Sequence, residues 1–292
     1  MKNPKVMVVQ MEIVPLNPKK NFEKIVKFFK LAKENSCDFI VFPEKFDGIL
    51  ASEDYMEDNP KKFIIGIQKL CKENKIYCIA GSILEKRENK YYNTSYLIGR
   101  NGKIIGNHDK IALTKYGESE YTEKGEKLQV FDTEFGKIGI LICRDFLYPN
   151  LARELAKKDV KIIFCPAFWS YYSNLYDKNE EFLKTNFPID ADIKTLQLFP
   201  AVRAMENEVF FVIANAAGIY KCRGKTEKGK VVSNPALEKL AGHSSIAAPL
   251  TGRLASLDSY EESYIVSELD MDILEDSKFT FSVRNSDPSP LK

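Results

Sequence analysis

Short apolar runs alternate with helical stripes along this chain, and that alternation limits the fold more than any other feature. Val6–Gln10, Phe39–Phe42, Tyr77–Gly81, Ile138–Ile142, Ile162–Cys165 and Val209–Asn215 read as strands, several of them apolar throughout. Asn17-Pro18 reads as a helix start, an N-cap followed by proline at the first helical position. Phe22, Ile25, Val26 and Phe29 form the stripe of that helix, and Phe63, Ile67, Leu70 and Cys71 that of a second. Leu151–Lys157 and Ala201–Asn207 read as two more.

Strand pairs interrupt these βα units. Tyr91–Ile98 and Lys103–His108 flank Asn101-Gly102, a dipeptide that favours a tight hairpin. Leu128–Asp132 pairs with Lys137–Ile142, and the turn Pro249–Gly252 separates Ser244–Ala248 from Tyr264–Leu269. Such a mixture predicts an α/β fold with a mixed sheet. No repeat or linker divides the 292 residues, so one domain is expected, with a core over about 6–269 and a tail over 270–292.

The balance of charge is nearly even, a net +2, which gives no strong pull toward nucleic acid or a membrane surface. The basic stretch Lys221–Lys230 also holds Glu227 and two glycines and reads as a solvated loop. Six scattered cysteines without a Cys-x-x-Cys pair, and no apolar run of signal-peptide or membrane-spanning length, predict a reduced cytoplasmic protein. With only two histidines, a histidine-rich metal site is ruled out.

Three reactive side chains stand just past strand ends. Cys143 closes the run Ile138–Ile142 and is followed by Arg144-Asp145, whereas Cys165 lies within its own apolar run, where packing explains it. A thiol near its free pKa is mostly protonated at neutral pH and needs a base or a nearby cation. His108 and His243 are the two histidines, and nothing local brings either to Cys143. Glu44 follows Val41-Phe42-Pro43, with the proline ending the ladder and presenting the carboxylate as a candidate base. Lys110 follows Lys103–His108, and its ammonium would favour a thiolate and hold a developing oxyanion. Any one of them alone reads as a core thiol, a turn-capping carboxylate or a solvated charge. Together they form a coherent acyl-transfer set.

Phe42-Pro43-Glu44, Asp109-Lys110 and Leu141-Ile142-Cys143-Arg144-Asp145 resemble, in order and rough separation, the three catalytic motifs of the nitrilase superfamily, the carbon–nitrogen hydrolases. Pro166-Ala167-Phe168-Trp169, Arg203–Asn207 and Gly242–Ser245 extend the resemblance, which runs from about Val6 to about Leu269. It implies a four-layer α-β-β-α sandwich and a Glu-Lys-Cys triad. Glu44 would be general base and acid, Lys110 the oxyanion donor and Cys143 the nucleophile that forms a thioester. A second glutamate is implied in the loop before a glycine: Glu118 lies seven residues before Gly125, and Glu120, five before it, is the alternative. The resemblance further implies a small-molecule substrate, no cofactor or metal, and a homodimer or higher homo-oligomer. The activity it implies is hydrolysis of a small amide or carbamoyl compound. Nitrile hydrolysis, acyl transfer to an amine and a silent binding protein on the same scaffold are the alternatives.

This chain departs from the family pattern beside its nucleophile. The residue after Cys143 is Arg144 where the family usually has an aromatic, and Arg-Asp replaces the Trp-Glu taken as the nitrilase pattern, which favours amides over nitriles. Arg144, Phe168 and Trp169 are the expected substrate-binding side chains; the apolar body of Trp169 suits a pocket wall. Two connections are long enough to be lids or binding loops, Ser170–Lys194 and Cys222–Gly242. The first holds Asp177, Glu180, Glu181, Asp190 and Asp192 against three lysines, which as a lid would suit a cationic, amine-bearing substrate.

Overall fold

The computed structural model describes residues 2–49, 59–114, 118–171, 190–222 and 236–283. β1 (Lys5–Gln10), α1 (Pro18–Glu34), β2 (Phe39–Val41), α2 (Asn59–Asn74) and β3 (Tyr77–Ile79) open the chain. An antiparallel group follows: β4 (Ile83–Arg87), β5 (Lys90–Ile98) and β6 (Ile104–Asp109). Next come β7 (Val130–Thr133), β8 (Gly136–Ile140), α3 (Pro149–Lys157), β9 (Val160–Ala167), β10 (Ser170–Tyr171) and α4 (Ala191–Asn207). The remainder is β11 (Phe210–Asn215), β12 (Ile219–Cys222), β13 (Ala236–Leu240), β14 (Ser245–Ala248), β15 (Gly252–Ser256), β16 (Ser263–Glu268) and α5 (Ile273–Thr280).

One sheet runs β16-β1-β2-β3-β5-β4, with β6 on β5; a second runs β15-β14-β11-β9-β8-β7; and β10-β13-β12 make a small third. β1, β2 and β3 are mutually parallel, as are β8, β9 and β11, with antiparallel strands around them. The two large sheets are the inner layers of an α-β-β-α sandwich, and strand alternation explains why. Val6, Val8, Phe39 and Val41 face the second sheet, where Phe39 meets Phe135 and Phe164 at 5.4 Å between ring centroids. Met7, Val9, Ile40 and Phe42 face α1 and α2, and Phe42 lies 5.9 Å from Phe29. Leu155, Ala156, Leu196 and Ala204, from α3 and α4, cover the outer face of the second sheet. α5 adds Leu274 to the same core.

The helix start at Asn17-Pro18 is as the sequence indicates: the Asn17 side chain accepts from the Lys20 N–H at 3.0 Å. Other expectations shift. Val26 is exposed, because Phe28 and Ala32 complete the buried face of α1 instead. The link from β5 to β6 is Gly99–Lys103 rather than a two-residue turn, with Gly102 at φ +77°. The turn Pro249–Gly252 joins β14 to β15, not to the strand over 264–269, which is β16 on the other sheet. The sequences of β4, β12 and β13 contain no long apolar run that marks them as strands. β13 lies in the long segment Cys222–Gly242, of which 223–235 fall outside the described residues, as do most of the basic stretch and residues 172–189. No helix among the described residues is long and apolar enough to cross a membrane.

Candidate active site

Strand ends from both sheets converge on one point. After β2, Phe42 donates to the Ile79 carbonyl at 3.2 Å; Pro43 then ends the ladder, and the Glu44 N–H crosses to the second sheet, to the Ala167 carbonyl at 3.3 Å. Gly81 permits this turn, since a Cβ there would fall 2.2 Å from the Pro43 oxygen. Lys110 leaves β6 with its N–H on the Asn93 carbonyl, 2.9 Å, and its own carbonyl on the Gly125 N–H, 2.7 Å. A Cβ on Gly125 would meet the Asp109 oxygen at 2.1 Å, so only glycine lets that loop pass.

Cys143 begins a short 3-10 turn, Cys143–Leu147, in the left-handed region at φ +47°. A non-glycine residue there costs about 1–2 kcal/mol, which the surroundings must hold. Asp145, fully buried, does so. Its carboxylate accepts from the N–H groups of Ile142 (2.9 Å), Ile111 (3.2 Å) and Ala112 (2.6 Å), tying the turn of Cys143 to the segment after Lys110. His108 is buried 3.4 Å from the same carboxylate, and His243 is held by the Ala241 carbonyl at 2.6 Å.

Within this frame lies a closed set of charges. Lys110 Nζ is 2.9 Å from Glu44 Oε1 and 2.8 Å from Glu118 Oε2. Asn93 Nδ2 donates to the same two carboxylates, 2.6 Å to Glu44 Oε1 and 2.7 Å to Glu118 Oε1. Thr114 N–H donates to Glu118 and Phe168 N–H to Glu44, at 3.0 and 2.9 Å. All four side chains are at most 5% exposed, and charges so buried persist only when paired and hydrogen-bonded.

These contacts decide the protonation states. Burial raises the carboxyl pKa of Glu118, but Lys110, then Lys45, outweigh it and hold the group at about 2. Burial likewise opposes the Lys110 charge, yet Glu44 and Glu118 raise its pKa well above the ordinary lysine range. Cys143 goes the other way. Burial, then the Glu44 carboxylate, push its pKa up against Lys110 and the Phe168 N–H. The neighbouring ammonium is therefore outweighed, and burial and the Glu44 carboxylate favour the thiol over the thiolate.

The structure thus brings Glu44, Lys110, Cys143 and Glu118 together, and leaves Glu120 exposed on the same short helical turn. Phe168 and Trp169 follow β9 beside Glu44. Trp169 Nε1 donates to Asp192 at 2.8 Å and its ring packs 5.3 Å from Phe146, against the edge of the core. Arg144 is half-buried, donates to the Leu113 carbonyl at 2.6 Å and lies 5.6 Å from the Tyr148 ring. Of the acidic residues in the long segment, Asp177, Glu180 and Glu181 lie outside the described residues. Asn93, Asp145 and Lys45 are the participants that sequence reasoning passed over. A polar side chain on the inward face of β5 was the available signal for Asn93.

A family model described as carbon-nitrogen hydrolase matches residues 5–279. The chain belongs to the carbon–nitrogen hydrolase family. It is 26% identical to omega-amidase NIT2-B of Xenopus laevis over 275 residues, 90% of this chain and 88% of the relative. It is 30% identical to a nitrilase of Pyrococcus abyssi over 275 residues, 91% of this chain and 90% of that one. The fold matches Saccharomyces cerevisiae Nit3, of the nitrilase superfamily, with a TM-score of 0.75 at 22% identity, covering 100% of this chain and 96% of that one. It also matches an amidase from Nesterenkonia sp., TM-score 0.74 at 18% identity, covering 94% of each.

The depressed pKa of Glu118 makes a stability prediction for this carbon–nitrogen hydrolase. A carboxyl that titrates lower in the folded than in the unfolded chain stabilises above its unfolded pKa, and that contribution is lost as pH falls through the folded value. Melting temperature should therefore fall more steeply from about pH 5 to about pH 2 in the wild type than in Glu118→Gln. Equal slopes would contradict the assignment.

Proposed function

We propose that this carbon–nitrogen hydrolase cleaves a small amide or carbamoyl compound through a thioester on Cys143. The observation that carries the reading is the buried Glu44–Lys110–Glu118 set, with the Cys143 thiol close enough to feel both Glu44 and Lys110. Cys143 Sγ attacks the amide carbon as Glu44 takes its proton. The oxyanion that forms is held by the Lys110 ammonium and by a backbone N–H after Cys143. The tetrahedral intermediate collapses, the C–N bond breaks, and Glu44 returns its proton to the departing ammonia or amine. Water then gives a proton to Glu44 and attacks the thioester carbon; the acid leaves and Cys143 recovers its proton. Each proton in this sequence moves between Cys143, Glu44, water and the leaving amine.

Glu118 acts on the set rather than on the reacting bond. It holds one side of the Lys110 ammonium, so that Lys110 stays charged and aimed when Glu44 is transiently protonated. Amide rather than nitrile substrates fit the Arg144-Asp145 sequence after the nucleophile. With a panel of amides, ureido compounds and nitriles, Cys143→Ala should reduce ammonia release to background. Lys110→Ala should lower kcat by about 10²-fold or more, the scale of a lost oxyanion donor. Undiminished release by Cys143→Ala sinks the proposal.

Assembly as a homodimer belongs to the same reading. Leu198, Val202 and Met205, spaced four and three apart on α4, are 59%, 47% and 39% exposed. Leu254 of β15, 43% exposed, lies on the strand packed beside them, where Gly252 approaches Ala201 and Met205. A contiguous apolar face of this kind marks an interaction surface. Sedimentation equilibrium should give a dimer mass for the wild type and a monomer for Val202→Asp. A monomeric wild type at micromolar concentration would remove the idea.

A further inference from the structure

His108 takes no part in the charged set, yet it is sealed from solvent close beside it. Lys110 and His108 stand two residues apart at the end of β6, so both side chains leave the chain toward the second sheet. Asp109, between them, turns the other way and is held by Arg87 at 2.7 and 2.8 Å and by Thr94 at 2.8 Å. Lys110 reaches Glu44, whereas His108 Nε2 lies 3.4 Å from Asp145 Oδ2. One strand end thus touches both the charged set and the carboxylate that braces the turn of Cys143.

Asp145 has three backbone donors, Ile142, Ile111 and Ala112. His108 is the one ionisable side chain among the described residues within hydrogen-bond reach of it. Since a carboxylate only accepts, the ring nitrogen that faces it, Nε2, carries a proton. The far nitrogen, Nδ1, is buried without a partner among the described residues, and so is the hydroxyl of Ser95. These two orphans belong to opposed residues. Ser95 of β5 pairs with His108 of β6 in the antiparallel register, which puts both side chains on one face with Cβ atoms about 4.5–5.5 Å apart. A hydroxyl can donate to Nδ1 or accept from it, so each orphan is the other's natural partner. Hydroxyl, imidazole and carboxylate in series have the order of a serine-hydrolase triad, but all three are fully buried, which leaves Ser95 out of a substrate's reach. Their part is to hold.

Resting on the reading of Cys143 as the nucleophile, we propose that His108 is a positioning residue of this hydrolase. Its Nε2–H steadies Asp145 so that the turn at Cys143 keeps its shape, and Ser95 steadies the ring from behind. Cys143 sits at φ +47°, a conformation that relaxes if its brace loosens. The backbone N–H after Cys143, offered to the oxyanion, moves with that turn, and so does Sγ against Glu44. Both contacts count for more in the transition state than in the bound substrate, so the effect falls on kcat and spares KM. The His108 contact is the longest of the four on Asp145, which puts its effect at the low end for a hydrogen bond to a charged group, about tenfold in rate.

The test compares His108→Leu, which fills the space without a donor, with His108→Gln, whose amide N–H reaches the same place. In amide hydrolysis His108→Leu should lower kcat about tenfold at an unchanged KM, and His108→Gln should keep most of the wild-type rate. Alkylation of Cys143 by iodoacetamide should slow by a similar factor in His108→Leu and not in His108→Gln. If the wild type hydrolyses no amide, the proposed function fails, and the alkylation rates still decide the role of His108. Should His108→Leu not fold, the wild type answers by NMR of isotope-labelled imidazole rings, to which only His108 and His243 contribute. The His108 ring should carry its proton on Nε2 and exchange it slowly with water. Wild-type rates in a folded His108→Leu, an equal loss in both variants, or a His108 ring protonated on Nδ1 alone overturns the inference.

Discussion

One buried ammonium organises this protein. Lys110 is 2% exposed, and removing an ion of that size from water carries a penalty of several kcal/mol that only close, well-directed partners offset. Glu44 and Glu118 provide those partners, and each is itself buried and would be destabilising alone. Breaking such a set by removing one member typically costs about 3–5 kcal/mol, because the others remain buried and unpaired. The charges therefore form or fail together. Asn93, donating to both carboxylates, fixes their separation and leaves one oxygen of Glu44 for the Phe168 N–H.

Everything around the set serves to bring three chain segments to it. Parallel strands end on the same side of each sheet, so β2 and β8 deliver Glu44 and Cys143 from opposite layers of the sandwich. The interlayer packing of Phe39 on Phe164 and Phe135 sets the distance between those layers. Asp145 then ties the turn of Cys143 to the segment after Lys110, so the thiol and the ammonium are held in one frame. The left-handed backbone at Cys143 is the local cost of that arrangement. The same logic explains why the Cys143 pKa is raised. A site that buries one cation between two anions has no net positive field left to favour a thiolate.

How far the sequence revealed this depends on range. Glu44, Lys110 and Cys143 stood out because each follows a short strand, a local pattern, whereas Glu118 entered only through the family resemblance, with Glu120 as the alternative. Asn93 and Lys45 did not stand out. Asn93 matters because β5 lies beside β6 in a register that puts its carbonyl on the Lys110 N–H, and pairing register is not written in either strand alone. Nothing in the sequence singles out Lys45, and only the fold sets it against Phe168 and Tyr121. β4, β12 and β13 went unread for a related reason: they carry polar, weakly alternating sequences that backbone pairing makes into strands. The turn Pro249–Gly252 was recognised but assigned to the wrong pair, since β15 lies between β14 and β16.

The central claim is that the substrate's acyl group passes through Cys143. Acid quench during turnover of a slowly hydrolysed amide, followed by mass spectrometry of the proteolytic peptides, tests it directly. The account predicts an added acyl mass, the amide less ammonia, on the peptide containing Cys143 and on no other cysteine. Turnover with no covalent adduct, or an adduct on Cys165 with Cys143 unmodified, would contradict it.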